Sequence, residues 1–430
     1  MKNIFFFFLS YLFCCNNFAQ NDSAVYSKFT SLQNRTTFYN NLVNRSITKN
    51  LSFPLNIENE SKWQNAFSAI ELINYQQPWI DKKLKSAADS IEVMSVDFQR
   101  SFLEMLYAGN RKNFVKEVTI LSDKTNDAKV FAMGANYLLL SDTSLKNRQR
   151  LLASAKRMTG LLLNFKDTVI LTAFLSQLKA FGKQDRFLDK AAMENLFSND
   201  FLKGNVVVYS VQRKDRNFTG ISFVKDTSGE FIRDSLGAII YIPQLARSLS
   251  NMPFYISNGN TPQGVYRLDG FGKSSGNFIG PSKNLQLTMP YETSIQHFLK
   301  DSTIKDSVWS KQLYARLIPK KLQNFEPLYQ SFYAGAAGRT EIIAHGTAVD
   351  HNYYTGKTYY PFTPTAGCLC ANEVWDSAGK RVSSDQQILS DAVTMAGGPS
   401  GYLIVIEIND QEKKVAVEEV LRYLPLIKNN

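Results

Sequence analysis

The chain predicts an α+β protein, with an all-α N-terminal domain followed by a mainly β domain that carries a helical insertion. Three observations predict it. Apolar residues recur at helical spacing up to about residue 200. From about residue 201, short β-branched runs alternate with Gly, Pro and Ser. Between residues 291 and 332 the spacing returns to a helical one. A chain of 430 residues is long enough for two or more domains.

In the first domain, residues 21–200, Trp63, Phe67, Ile70 and Ile73 lie three or four apart, as do Phe98, Phe102, Met105 and Leu106. Leu151, Leu152, Ala155, Met158 and Leu162 repeat the habit, as do Ile170, Phe174 and Leu178. Breaks are expected at Gln77-Pro78, Ala108-Gly109-Asn110, Ser141 to Ser144 and Phe181-Gly182. Ser141 to Ser144 also offers N-cap residues for the helix that follows. About seven or eight helices emerge, with no fixed period that would mark a repeat family. Nothing in this half carries evident chemistry, so its expected role is to position the second domain or bind a protein partner.

In the second domain, residues 201–430, strands are expected at Asn205–Tyr209, Gly220–Val224, Ala238–Ile242, Phe254–Ile256, Gly264–Leu268, Glu341–Ala344 and Tyr402–Ile408. A final helix is expected from about Val415 to Leu424. The inserted helices of 291–332 precede the strand that ends in His345, where they would form a wall or lid over a site.

Residues 1–20 have the order of a secretory signal peptide: Lys2, an apolar run from Ile4 to Phe13, then a short polar exit. The run is too short to span a bilayer core of roughly 30 Å, so no stable transmembrane anchor is expected. Cys14 and Cys15 occupy the place of a lipoprotein cysteine, but bulky Leu12 and Phe13 precede them. The expected destination is the periplasm or cell envelope. The net charge of +11, less Lys2, leaves +10 on the mature chain. That charge suits an anionic envelope surface or simple solubility. Nucleic acid is not an expected partner, since export disfavours it and no nucleic-acid-binding motif is present.

Reactive side chains are scarce. The histidines are His297, His345 and His351, and the cysteines outside the leader are Cys368 and Cys370. Ile343-Ala344-His345-Gly346-Thr347 reads as a strand end, and Thr365-Ala366-Gly367-Cys368 as a turn. A thiol acts as nucleophile through its thiolate, and a nearby imidazole can take the proton. Cys368 is the expected nucleophile and His345 its base, with His351 the less favoured base. Gly367 lets N–H groups turn toward a bound carbonyl. Those groups and the Thr365 hydroxyl would form an oxyanion site. Tyr353, Tyr354, Tyr359 and Tyr360 either line a peptide or sugar groove or pack under a long loop. Cys370 is read as a substrate-site residue, a resolving thiol or inert packing, and His297 as structural or exposed. A zinc site built from Cys368, Cys370, His345 and His351 is the alternative metal arrangement. No metal or cofactor is expected.

The order of these strings excludes papain-like peptidases, which place cysteine before histidine, and the Thr-Leu-x-Thr-Cys string of sortases is not matched. They resemble the L,D-transpeptidase (YkuD-like) catalytic domain, where a His-Gly-Thr strand precedes a Ser/Thr-His-Gly-Cys turn. Asn260-Thr261-Pro262-Gln263-Gly264-Val265-Tyr266 is similar to that family's Thr-Pro-x-Gly-x-Tyr segment. The resemblance covers roughly residues 205–408. It implies that Cys368 is acylated, His345 is its base, and the Gly346 carbonyl orients the imidazole. The implied substrates are peptidoglycan stem peptides. The chain departs from the pattern at Ala366 and Cys370, and in a longer gap from His345 to Thr365. A catalytically degenerate envelope-binding or scaffold protein is the second reading.

Overall fold

The computed structural model describes residues 25–161, 164–181 and 187–425. The expected leader, with Cys14 and Cys15, lies outside the described residues. Among the described residues the first α-helix is α1 (Leu32–Asn41), which follows a 3-10 turn at Lys28–Thr30 and runs through a π-helical stretch, Leu42–Lys49, into α2 (Asn50–Ser52). There follow α3 (Glu60–Leu72), α4 (Pro78–Asp89), α5 (Val96–Ala108), α6 (Val115–Lys124) and α7 (Ala128–Ser141). The series ends with α8 (Leu145–Thr159), α9 (Phe165–Ala180) and α10 (Lys190–Phe197).

Local chemistry starts these helices. Ser95, Asp127, Ser144, Asn164 and Asp189 each accept an N–H from the first turn. Pro78 opens α4, where its missing N–H costs nothing. α7 is buried nearly all round and forms the centre of the helical half. Beside it, Phe67 of α3 meets Phe98 and Phe102 of α5 edge-on, with ring centroids 5.3 and 5.4 Å apart.

The large mixed sheet comprises β1 (Val206–Arg213), β2 (Gly220–Lys225), β3 (Tyr241–Gln244), β4 (Gly264–Gly272), β5 (Asn284–Thr288), β6 (Ile343–Gly346), β7 (Leu369–Ala371) and β10 (Gly401–Asn409). Its order is β3-β2-β1-β10-β4-β5-β6-β7, with β1–β10 and β6–β7 parallel and the other pairs antiparallel. Just beyond β3, Leu245 exchanges two 2.8 Å backbone hydrogen bonds with Cys370 of β7, so the two edges meet and the sheet is nearly a closed barrel. A separate hairpin joins β8 (Glu373–Trp375) to β9 (Arg381–Ser384).

The central strands are buried on both faces, which is why they read as continuous apolar runs. One face packs on α14 (Asp385–Met395), through Leu389, Val393 and Ala396 against Val208, Leu403 and Ala344. The other packs on α10, on the inserted α11 (Ile295–Leu299), α12 (Lys311–Ala315) and α13 (Gln330–Ala336), and on the C-terminal α15 (Val417–Leu421). The inserted helices cover the sheet, with Phe298, Tyr314 and Phe332 among Val265, Tyr402 and Ile404. Their bearing on the site is that α13 leads directly to Arg339.

One expected strand is absent. Phe254–Ile256 lies in a turn-rich loop flanked by Asn251 and Asn258 at positive φ. Its apolar residues satisfy the helical core instead, where Tyr255 and Ile256 are buried. The Tyr255 hydroxyl accepts from Asn136 Nδ2 at 2.9 Å and donates to Gln177 Oε1 at 2.6 Å, and Gln177 closes the triangle onto Asn136 at 2.9 Å. Among the described residues no helix is long and apolar enough to cross a membrane.

Candidate active site

Parallel pairing of β6 with β7 sets Ala344 beside Leu369 and His345 beside Cys370. Strand alternation then divides the faces. Ala344 and Leu369 enter the core beneath α14. His345 and Cys370 project from the opposite face. Cys368 lies one step before β7, and its sulfur meets the start of β6 at the Ile343 N–H.

The imidazole is fixed by its neighbour: His345 Nδ1 lies 2.8 Å from the Gly346 carbonyl oxygen. That contact requires a proton on Nδ1 and leaves the Nε2 lone pair available as a base. The same oxygen accepts the Gly280 N–H at 3.0 Å. Behind it lies the Glu373 carboxyl, which a Cβ at position 346 would have to displace. Ser282 and Ser384 donate to Glu373 Oε1, while Oε2 is buried without a partner. Burial raises this carboxyl above its usual range.

The Thr365–Cys368 turn is held from inside. The Thr365 hydroxyl donates to the Cys368 carbonyl at 2.9 Å and accepts the Gly367 N–H at 3.1 Å. This corrects the expected oxyanion site: the Thr365 hydroxyl and Gly367 N–H are engaged with the turn itself, because an ST-turn satisfies them locally. The Cys368 N–H takes no part in those bonds. Gly367 has φ of +115°, which favours glycine, and a Cβ there would also strike Arg339 Nη2. Thr261 of the Thr-Pro-x-Gly-x-Tyr segment donates to the Gly367 carbonyl at 2.9 Å, tying that segment to the turn.

Arg339 is the functional candidate that sequence reasoning missed. It is 5 % exposed and forms no ion pair among the described residues. Its guanidinium instead donates to three carbonyls: Phe254 and Asn260 through Nη1, and Gly259 through Nη2. Burial pushes its pKa down to about 10, so it stays charged at neutral pH. A buried cation with only carbonyl dipoles around it is a strong local source of positive potential, and it acts on Cys368 through space.

The resting protonation states follow from burial. His345, 3 % exposed, has its pKa lowered by burial, partly offset by its bond to Gly346. Burial raises the Cys368 thiol, against the pull of the Ile343 N–H and Arg339. Both the Cys368 thiol and the His345 imidazole are therefore held toward their neutral forms. The sulfur accepts from Ile343 N–H and donates to the Glu341 carbonyl, both at 3.5 Å, and makes no hydrogen bond to His345. Glu341 has φ of +63°, uncommon for glutamate, and Glu292 grips its N–H at 2.7 Å.

The other expected residues are placed as follows. Cys370 is fully buried beside Thr363 and Thr347, its thiol pushed up to about 12 by burial, which suits packing better than redox chemistry. Both cysteines are free thiols. Tyr353 packs on Tyr39 of α1 with ring centroids 5.8 Å apart, and Tyr360 stacks edge-on with His351 at 5.6 Å. Neither tyrosine hydrogen-bonds Cys368 or His345; Tyr353 lines a second cleft with Phe38 and Val349, and Tyr360 is exposed. Buried Tyr354 and Tyr359 line a separate cleft. His297 pairs with Asp269 at 2.7 Å on an exposed face. Among the described residues no group of three or more His, Cys, Asp or Glu gathers as a metal site.

The helical half reaches this site through the 252–260 loop and through α9, whose Lys166 lies against Gly338 beside Arg339. Residues 252–256 are embedded in its core, and the same loop supplies the three carbonyls that hold Arg339. Lys129 of α7 adds a 2.8 Å bond to Ser257. The helical half therefore buttresses the cradle of the buried cation. Set against known proteins, the chain matches no family model, no curated protein and no solved structure.

Proposed function

We propose that the protein is an exported, cysteine-dependent acyltransferase similar to L,D-transpeptidases and acting on peptidoglycan stem peptides. The observation that carries the reading is the Nδ1-anchored His345 on β6, two residues after Ile343, whose N–H meets the Cys368 sulfur, with Arg339 abutting the turn. The neutral pair argues for general-base attack rather than a preformed ion pair. As Cys368 Sγ bonds to the peptide carbonyl carbon, its proton passes to His345 Nε2. The carbonyl electrons move to oxygen, which meets the Cys368 N–H and the field of Arg339. Collapse breaks the C–N bond, and the leaving amine takes the proton from His345. An acceptor amine then attacks the thioester, gives its proton to His345 and frees the thiol. Water as acceptor makes the reaction a carboxypeptidase one. The basic surface suits an anionic envelope.

Incubating purified wall peptides with the protein and analysing products by mass spectrometry tests this reading. Cross-linked or trimmed peptides that vanish with Cys368→Ala and fall at least tenfold with His345→Gln are expected. Products that persist in both variants would sink it.

A second reading, a degenerate wall-binding module, is favoured by the protonated thiol and its bond to Glu341 rather than His345. It predicts wall-peptide binding without turnover, unchanged by Cys368→Ala.

A further inference from the structure

A cleft of about 500 Å³ lies between α3 and α5 of the helical half and the barrel-rim loops at 215–218, 247–251 and 354–364. Its charged walls are unusual. Arg247 is 8 % exposed; its Nε donates to Asn217 at 2.9 Å and its Nη1 to the Ser248 and Leu249 carbonyls, while Nη2 has no partner. The guanidinium stacks over the Tyr359 ring at 4.9 Å and forms no ion pair among the described residues. Also lining the cleft, Glu71 of α3 has a buried Oε1 without a hydrogen bond. Arg247 reaches Glu71 through space but does not pair with it. Burial and neighbouring Glu104 push the Glu71 carboxyl well above the usual carboxylate range, so the cleft sets an open guanidinium donor against a carboxyl held toward its neutral form until a cation reaches it; Arg111, Asp215, Lys357 and Glu412 also line the cleft. Ile70, Met105 and Leu249 add apolar wall to the same cleft.

We propose that this cleft binds the free end of a short peptide or an amino acid, with a carboxylate on Arg247, an ammonium on Glu71 and an apolar side chain on the apolar wall. Three physical arguments support it. Guanidinium binds carboxylate through a directed donor pair, and here the fork is already fixed by stacking and by three carbonyl or amide acceptors. A buried carboxyl without a partner gains most from a cation brought to it. The volume suits a ligand of about two residues rather than a folded partner. The cleft wall also joins the segment leading to Cys368, since Leu249 N–H donates to the Thr365 carbonyl at 2.7 Å. The proposal does not depend on thioester chemistry.

Calorimetric titration of the full-length protein with glycyl-leucine, N-acetyl-glycyl-leucine and glycyl-leucinamide tests it. Saturable one-to-one binding of the free dipeptide is expected, with each blocked form at least tenfold weaker. Glu71→Gln, a near-isosteric change, should weaken the free dipeptide about tenfold and leave the N-acetyl form unchanged. Arg247→Lys should weaken both carboxylate-bearing forms about tenfold, with an unchanged melting profile confirming the fold. Absence of saturable binding, equal affinity for the amide and the acid, or a Glu71→Gln effect common to free and acetylated dipeptides would overturn the proposal.

Discussion

Replacing Arg339 with Met removes the buried charge behind Cys368 and leaves a side chain of similar length. The Nη2 atom abuts Gly367, the residue before Cys368, and its charge acts on the thiol through space. At an effective dielectric of about 20, one unit charge about 8 Å away is worth ~2 kcal/mol to a thiolate, roughly a thirtyfold change in its population. Removal also strands three carbonyls that now accept from a charged donor, at about 1.5–3 kcal/mol each. Arg339→Lys is therefore the control, because it keeps the charge and loses the fork. The assay is the iodoacetamide alkylation rate at Cys368, followed by mass spectrometry; buried Cys370 reacts slowly in the native state. Arg339→Met should react at least tenfold more slowly than the wild type, and Arg339→Lys within about threefold of it. A folded Arg339→Met protein that alkylates at the wild-type rate would refute the electrostatic role.

Other outcomes follow from the same physics. Because burial lowers the His345 pKa, the acid limb of the acylation rate should lie below the ordinary imidazole value of ~6.5; a limb at or above it would contradict the neutral-base assignment. Tyr255→Phe leaves the amides of Asn136 and Gln177 short of a partner and should cost about 1–3 kcal/mol, read from the denaturation midpoint. Asp385 has its pKa raised to about 6 by burial and by Glu373. A raised carboxyl adds stability that is full below its unfolded value of ~3.9 and lost as pH rises through about 6. Asp385→Asn should flatten the stability profile over that window, and thermal melts at both ends will show whether it does.

The α+β class was legible because two periodicities survive in the sequence. The helical half shows its core faces through residues such as Phe98, Phe102 and Met105. The strands announce themselves as β-branched runs, since sheet faces covered on both sides need no polar alternation. Phe254–Ile256 misled because a short apolar run does not say which core it enters, and Tyr255 belongs to the helical one. Scarcity made His345 and Cys368 stand out. Arg339 did not, being one of 49 basic residues with no local motif to mark it. Glu373 was hidden for the same reason: its place behind Gly346 is a product of the β7–β8 connection. The internal bonding of Thr365 with Gly367 could not be read either, because a hydroxyl that fits an oxyanion site also fits a turn. The cleft of Glu71 and Arg247 unites residues far apart in sequence, and only the fold brings them together.

The most direct test of the central assignment is covalent trapping at Cys368. Wild-type protein incubated with a carbapenem should gain one acyl adduct in intact-mass spectra, mapped to the Thr365–Cys368 turn. The adduct should form at least tenfold more slowly with His345→Gln and not at all with Cys368→Ala. An adduct that persists in Cys368→Ala, or none in a folded wild-type protein, would contradict the account.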